Sequence, residues 1–143
     1  MTTTKLVVDT NIVMSALMTP EGRIGKTILD ISNKVQLIAC HYLYVELFHH
    51  KDKILKINKM PEFDFLELLL HLLNRFEFIS EERITSEHWQ QAIHLVADID
   101  PKDTAHVALA LQLNAPLWTG DQTLIAGLRA KGFALVTTTA ELT

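Results

Sequence analysis

The sequence predicts an α/β fold: a three-layer α/β/α sandwich with helices on both faces of a central, mostly parallel sheet of about five strands. Two observations predict it. Five short apolar runs suited to buried strands alternate with seven helical stretches along the 143 residues, and such alternation implies parallel strands joined by helical crossovers. At this length, 48% hydrophobic residues are enough for one substantial core. No repeat, low-complexity tract or linker interrupts the patterning, so a single domain over residues 1–143 is expected.

Taken in order, the first strand is placed at residues 5–9, where Leu6-Val7-Val8 runs into Asp9. Helical stretches follow at 11–17 and 24–32, on either side of the turn Thr19-Pro20-Glu21-Gly22. A second strand at 35–39 leads into a long helix at 41–58, and another helix at 62–76 leads into a third strand at 77–79. Helices at 87–99 and 102–113 precede the fourth strand at 116–119; a helix at 122–130 and a strand at 134–136 complete the set. Several of these helices are closed by Gly or Asn, as at Asn114.

Bulk properties narrow the setting. The only cysteine is Cys40, which rules out an internal disulfide and fits a reducing compartment, where a lone thiol in an apolar stretch is simply buried. The opening Met1-Thr2-Thr3-Thr4-Lys5 lacks the basic and long apolar segments of a secretion signal, and no apolar run approaches the roughly 18 residues of a membrane span. A soluble, cytoplasmic protein is expected. A net charge of −4 argues against a generally basic surface for polyanions. If four acids share one cation, however, the remaining surface is neutral, and the objection lapses.

Those four acids are Asp9, Glu46, Asp103 and Asp121. In open parallel sheets, ligands bind beyond the carboxyl ends of the strands, where strand order reverses. Asp9 closes the first strand and Asp121 follows the fourth after Gly120, while Asp103 opens one helix and Glu46 lies within another. Each has an ordinary explanation. Asp9 and Asp121 precede helices as caps; in Asp100-Pro101-Lys102-Asp103, Asp100 reads as the cap and Asp103 as an acid favoured by the helix dipole. Glu46 resists this account, because Tyr42 and Leu43 place it on an apolar face where an unpaired carboxylate is costly. Carboxylates about 4 Å apart repel by about 4 kcal/mol at an effective dielectric near 20. A cation relieves that repulsion, and oxygen ligands favour Mg²⁺ or Mn²⁺.

The acids and their surroundings resemble the PIN-domain family of nucleases from Lys5 to about Thr138. Leu6-Val7-Val8-Asp9-Thr10-Asn11 is similar to the family's opening strand and first acid, and Tyr44-Val45-Glu46-Leu47 to its second-acid helix. Asp100-Pro101-Lys102-Asp103 with Ala105-His106-Val107-Ala108-Leu109-Ala110 is similar to the third element, and Leu117-Trp118-Thr119-Gly120-Asp121 to the fourth. The resemblance implies a parallel-sheet sandwich, Mg²⁺ or Mn²⁺ dependence, and hydrolysis of single-stranded RNA. Many members are VapC-type toxins, which implies an antitoxin protein as a partner, and the family often forms homodimers. On this chain Asp9, Glu46, Asp103 and Asp121 become catalytic metal ligands, direct or through water. Asn11 and Thr119 become hydrogen-bonding supports, and Asp100 a further support whose capping role is also sufficient.

Other features carry less. His49, His50, Lys51, Lys53, Lys56 and Lys59 form a basic stretch that either contacts phosphates or is a solvated face, and Arg23 and Lys26 have a similar standing. The seven histidines show no zinc-site spacing and read as surface or core residues. Residues 63–76 are apolar around much of a helix, which fits either core or a self-association surface. Two alternatives to a nuclease are a non-cleaving nucleic-acid-binding module of the same fold and a haloacid-dehalogenase-like phosphatase. The phosphatase needs a second Asp where this chain has Asn11.

Overall fold

The apolar runs become five strands in the computed structural model, which describes residues 4–142. They are β1 (Thr4–Val8), β2 (Val35–Cys40), β3 (Phe76–Ile79), β4 (Leu117–Trp118) and β5 (Val136–Thr137). Every pairing is parallel, in the order β3-β2-β1-β4-β5. The expectation of no leader in the opening residues, and the outer limits of the expected domain, lie outside the described residues.

Alternation along each strand sorts the core into two layers. Leu6, Val8, Leu37, Ala39 and Trp118 face one side, where they meet helices α1 (Thr10–Met18), α2 (Arg23–Ile31), α3 (Tyr42–His49), α4 (Lys51–Asn58) and α5 (Glu62–Leu73). Val7, Ile38, Cys40 and Leu117 face the other, under α6 (Ser86–Val96), α7 (Thr104–Leu113) and α8 (Gln122–Ala130). Burying each large aliphatic side chain contributes about 1.5–3 kcal/mol, so both faces of the sheet stabilise the fold. The three-layer sandwich read from the alternation is the architecture observed.

Several boundaries differ from the sequence reading, each for a tertiary reason. The helix expected at 41–58 is two helices, broken at His50 (φ −102°, ψ 8°). The break turns α4 onto α1, where Ile54 is fully buried and Asn58 Nδ2 donates to Leu17 O at 3.1 Å. All of the basic stretch but His49 therefore lies beyond the helix that carries Glu46, with Lys51, Lys53 and Lys56 on α4. The helix expected at 62–76 stops at Leu73, because Phe76 pairs with Leu37 and begins β3. The last strand is shifted to Val136–Thr137, in register with Leu117 and Trp118. Pro101–Asp103 is a 3-10 turn ahead of α7, a second such turn spans Glu81–Arg83, and a short α9 (Thr139–Leu142) follows β5. Among the described residues, no helix is long and apolar enough to cross a membrane.

The topology reverses at β1. The chain steps from β1 to β2 and β3 on one side, then returns to β4 and β5 on the other. Connections leaving the carboxyl ends of β1 and β4 diverge to opposite faces and leave a crevice between them.

Candidate functional site

Asp9 and Asp121 stand at the two strand ends that border this crevice. Asp9 is 4% exposed and caps α1, accepting from Asn11 N at 3.4 Å. Asp121 caps α8, accepting from Leu124 N at 3.1 Å. Capping thus accounts for one oxygen of each. The second oxygen of Asp9 is tied to the neighbouring strand end, where buried Thr119 donates its hydroxyl to Asp9 Oδ2 at 2.7 Å and accepts from Asp121 N at 3.2 Å. Thr119 therefore couples the two acids through a single hydroxyl. Asn11 contributes its backbone N–H; its side-chain Oδ1 is buried without a hydrogen-bond partner.

Glu46 reaches the same place from α3. The amino end of that helix lacks a local side-chain cap, and Glu81 supplies one from the turn after β3, accepting from Tyr42 N at 2.6 Å. About one turn on, Glu46 Oε1 accepts from the Thr10 hydroxyl at 2.6 Å and lies 2.9 Å from His106 Nε2. His106 comes from α7 on the opposite face of the sheet and is 0% exposed. Its Nε2 is also 3.1 Å from Thr10 Oγ1 and 3.8 Å from Asp9 Oδ1, and its Nδ1 is 3.7 Å from Cys40 Sγ. Burial alone would lower the imidazole pKa. Its bonds to Cys40 and Glu46, with the negative charge of Asp9, instead raise it well above the ordinary value. Glu46 shows the reciprocal effect: burial opposes its ionisation, but the His106 and Thr10 bonds and the charges of His106 and His50 hold its carboxyl below the ordinary value.

Asp103 is the exception in this network. It sits where the 3-10 turn passes into α7, and its Oδ2 is buried with no partner. Desolvation pushes its carboxyl up to about 7, reinforced by the charges of Asp9, Asp100 and Asp121 against the opposing charge of His106. Asp100 itself caps the turn, accepting from Lys102 N at 3.0 Å. The four acids named from the sequence are thus gathered at one edge of the sheet. Glu46 and Asp9 flank His106, Asp121 joins Asp9 through Thr119, and Asp103 lies within the field of the aspartates.

Among the described residues, no three His, Cys, Asp or Glu side chains stand close enough to enclose an ion directly. The donor set nevertheless fits a hard divalent cation. Mg²⁺ is commonly held by one or two carboxylates with water completing its shell, and the orphaned oxygen of Asp103 is the group whose charge such an ion would compensate.

Sequence reasoning missed three participants. His106 was assigned to the core or surface, yet it is three residues after Asp103 and so on the same helical face, a polar ring within the otherwise apolar stretch Ala105–Ala110. That spacing was the available signal. Thr10 was read only as part of Asp9-Thr10-Asn11, and Glu81 carries no local signal, because its capping contact joins segments 39 residues apart.

Residues 7–142 match the family described as the PIN domain. No curated protein matches the chain. Among solved structures, it is similar to a chain in the crystal structure of VapBC2 from Rickettsia felis bound to a DNA fragment from their promoter. The TM-score is 0.69, at 14% identity over 94% of this chain and 98% of that one. It is also similar to a chain of the DNA-bound VapBC from Salmonella typhimurium, with a TM-score of 0.66 at 15% identity over 95% of this chain and 98% of that one. At such identities the likeness is one of fold.

Proposed function

Because the chain belongs to the PIN-domain family, we propose that it is a divalent-metal-dependent endoribonuclease that hydrolyses phosphodiester bonds in single-stranded RNA. Asp103 carries the reading. A buried carboxylate oxygen without a partner, raised to about 7 by desolvation and by neighbouring aspartates, is costly unless a cation joins it.

A bound Mg²⁺ or Mn²⁺ would supply positive charge against phosphate oxygens and the means to ionise water at neutral pH. Asp9, Glu46, Asp103 and Asp121 would hold that ion, in part through water. Glu46, kept ionised and oriented by Thr10 and His106, positions the attacking water and draws on its proton. Thr119 fixes Asp9 relative to Asp121, Asn11 supports the turn after β1, and Asp100 adds negative charge behind Asp103.

The likeness to chains of VapBC assemblies supports a toxin role with an antitoxin protein as partner, and the lone buried thiol of Cys40 fits the cytoplasm. Exposed apolar side chains on α3 and α5 support a homodimer. The test is incubation of a mixed RNA pool with purified chain, free of any partner, in Mg²⁺ or Mn²⁺, beside Asp9→Asn. Metal-dependent cleavage by the wild type alone is the expected result. Equal activity from both, or none from the wild type, overturns the catalytic assignment, and binding without cleavage replaces it with a non-cleaving RNA-binding module.

A further inference from the structure

We propose that a cleft walled by Trp89 and Tyr42 is a nucleobase subsite, holding one unpaired base of the RNA beside the phosphate addressed by the carboxylates. The proposal rests on the nuclease reading above and adds to it a place where substrate is gripped outside the acidic site.

The cleft measures about 230 Å³ and lies between the amino end of α3, the amino-terminal part of α6 and the turn that leads into α7. Trp89 and Tyr42 are half-buried, each packed on the core layer beneath α6 and α7 while also lining the cleft. Pro101 and Ala105 add apolar surface; Glu81, Lys102 and Thr104 supply the polar groups. Aromatic and apolar walls with a few polar groups suit a flat heterocycle with hydrogen-bonding edges.

A second cleft of about 330 Å³ adjoins the first, and Tyr42 and Lys102 line both. It also contains Glu46, His49 and His50. One side of the shared boundary therefore offers rings for stacking, and the other offers cationic or protonatable groups beside a candidate metal ligand. That order matches the repeat of a nucleotide, base then phosphate. Lys102 is next in sequence to Asp103, so a phosphate it engages lies close to the acidic site.

The aromatic pair also accounts for a single-strand requirement, because a base within a duplex is already stacked and cannot enter. Glu81 refines the choice of base. Its carboxylate only accepts hydrogen bonds, so the base edge that meets it must donate from N–H or amino groups.

Tryptophan fluorescence offers a test that does not depend on cleavage. The chain has two tryptophans, and Trp118 is 0% exposed, so a stacking base quenches Trp89 alone. Asp9→Asn protein in EDTA is titrated with a short mixed-sequence single-stranded RNA, following both emission and the anisotropy of a labelled copy. Saturable quenching is expected, with none from the same sequence as a duplex. Trp89→Ala should weaken binding about tenfold, while Trp89→Phe, which keeps a stacking ring, should stay within about threefold of the parent. RNA that binds without quenching, or a Trp89→Ala variant with parental affinity, overturns the subsite and leaves the nuclease reading intact. Quenching by RNA that the wild type never cleaves in Mg²⁺ or Mn²⁺ upholds the subsite and overturns the nuclease reading. No binding by either measure overturns the subsite.

Discussion

His106 Nε2 lies 2.9 Å from Glu46 Oε1, joining helices on opposite faces of the sheet over the carboxyl end of β1. The imidazole has no solvent exposure, so Glu46, the Thr10 hydroxyl and the Cys40 thiol are the groups that justify burying it. Removing the ring by His106→Ala leaves Glu46 held by Thr10 alone. Partners that orient a metal ligand typically contribute about 10–100-fold to activity or metal affinity. The expected result is a fall of that size in RNA cleavage, with a higher Mg²⁺ concentration at half-maximal rate. His106→Gln, which can still donate toward Glu46, should recover part of both. Loss of thermal stability with an unchanged Mg²⁺ requirement would reduce His106 to a packing residue.

The hydroxyl of Thr119 does for Asp9 what His106 does for Glu46. Thr119→Val keeps the shape but removes the donor to Asp9 Oδ2 and the acceptor for Asp121 N. Hydrogen bonds to charged groups contribute about 1.5–3 kcal/mol, so urea unfolding should show a loss of that order, accompanied by reduced cleavage. Thr119→Ser should restore both. A Val variant as stable and active as the parent would show that the two acids do not depend on their bridge.

Asp103 sets the pH dependence. Its folded pKa of about 7 lies above the ordinary value of 3.8. Between those values the unfolded chain releases a proton that the folded chain retains, so this group's contribution makes the metal-free protein less stable as pH rises from about 4 to 7, and constant above. In EDTA at pH 8, Asp103→Asn should therefore be more stable than the wild type by about 1–2 kcal/mol, a figure reduced for solvent on the open side of the carboxyl. Adding Mg²⁺ should stabilise the wild type and not the variant, reversing their order. Metal affinity of the wild type should fall as pH drops through about 7, because the ion then competes with a proton at Asp103. Differential scanning calorimetry at several pH values, with and without Mg²⁺, checks all three. A wild type indifferent to Mg²⁺ at pH 8 would remove Asp103 from any metal site.

Much of this arrangement was legible in the residues. Asp9 and Asp121 could be placed because strand ends are visible as the end of an apolar run, and parallel topology then sends both to one edge. Glu46 stood out because its apolar neighbours gave it no solvent-facing account. His106 and Glu81 were not legible, since their roles depend on which helix crosses which, and that is decided by contacts 60 and 39 residues apart in sequence. The break at His50 escaped for the same reason: the apolar spacing of Leu43, Leu47 and Ile54 suits one straight helix, and only packing against α1 turns the second half aside.

The apolar surface of α3 and α5 supports a prediction about assembly. Val45, Phe48, Phe63 and Leu70 are 60%, 68%, 70% and 63% exposed, and a cleft of about 150 Å³ between the two helices is lined by Leu47, Phe48, Phe65, Leu66 and Leu69. Water against so many large apolar groups is unfavourable, and a second copy presenting the same helices would cover them by two-fold symmetry. Light scattering over a concentration series should give the mass of a dimer. Phe48→Glu combined with Leu70→Glu should shift the mass to that of a monomer, with little effect on the circular dichroism spectrum because neither ring nor branch is part of the core. A wild type that stays monomeric at every concentration would exclude the homodimer.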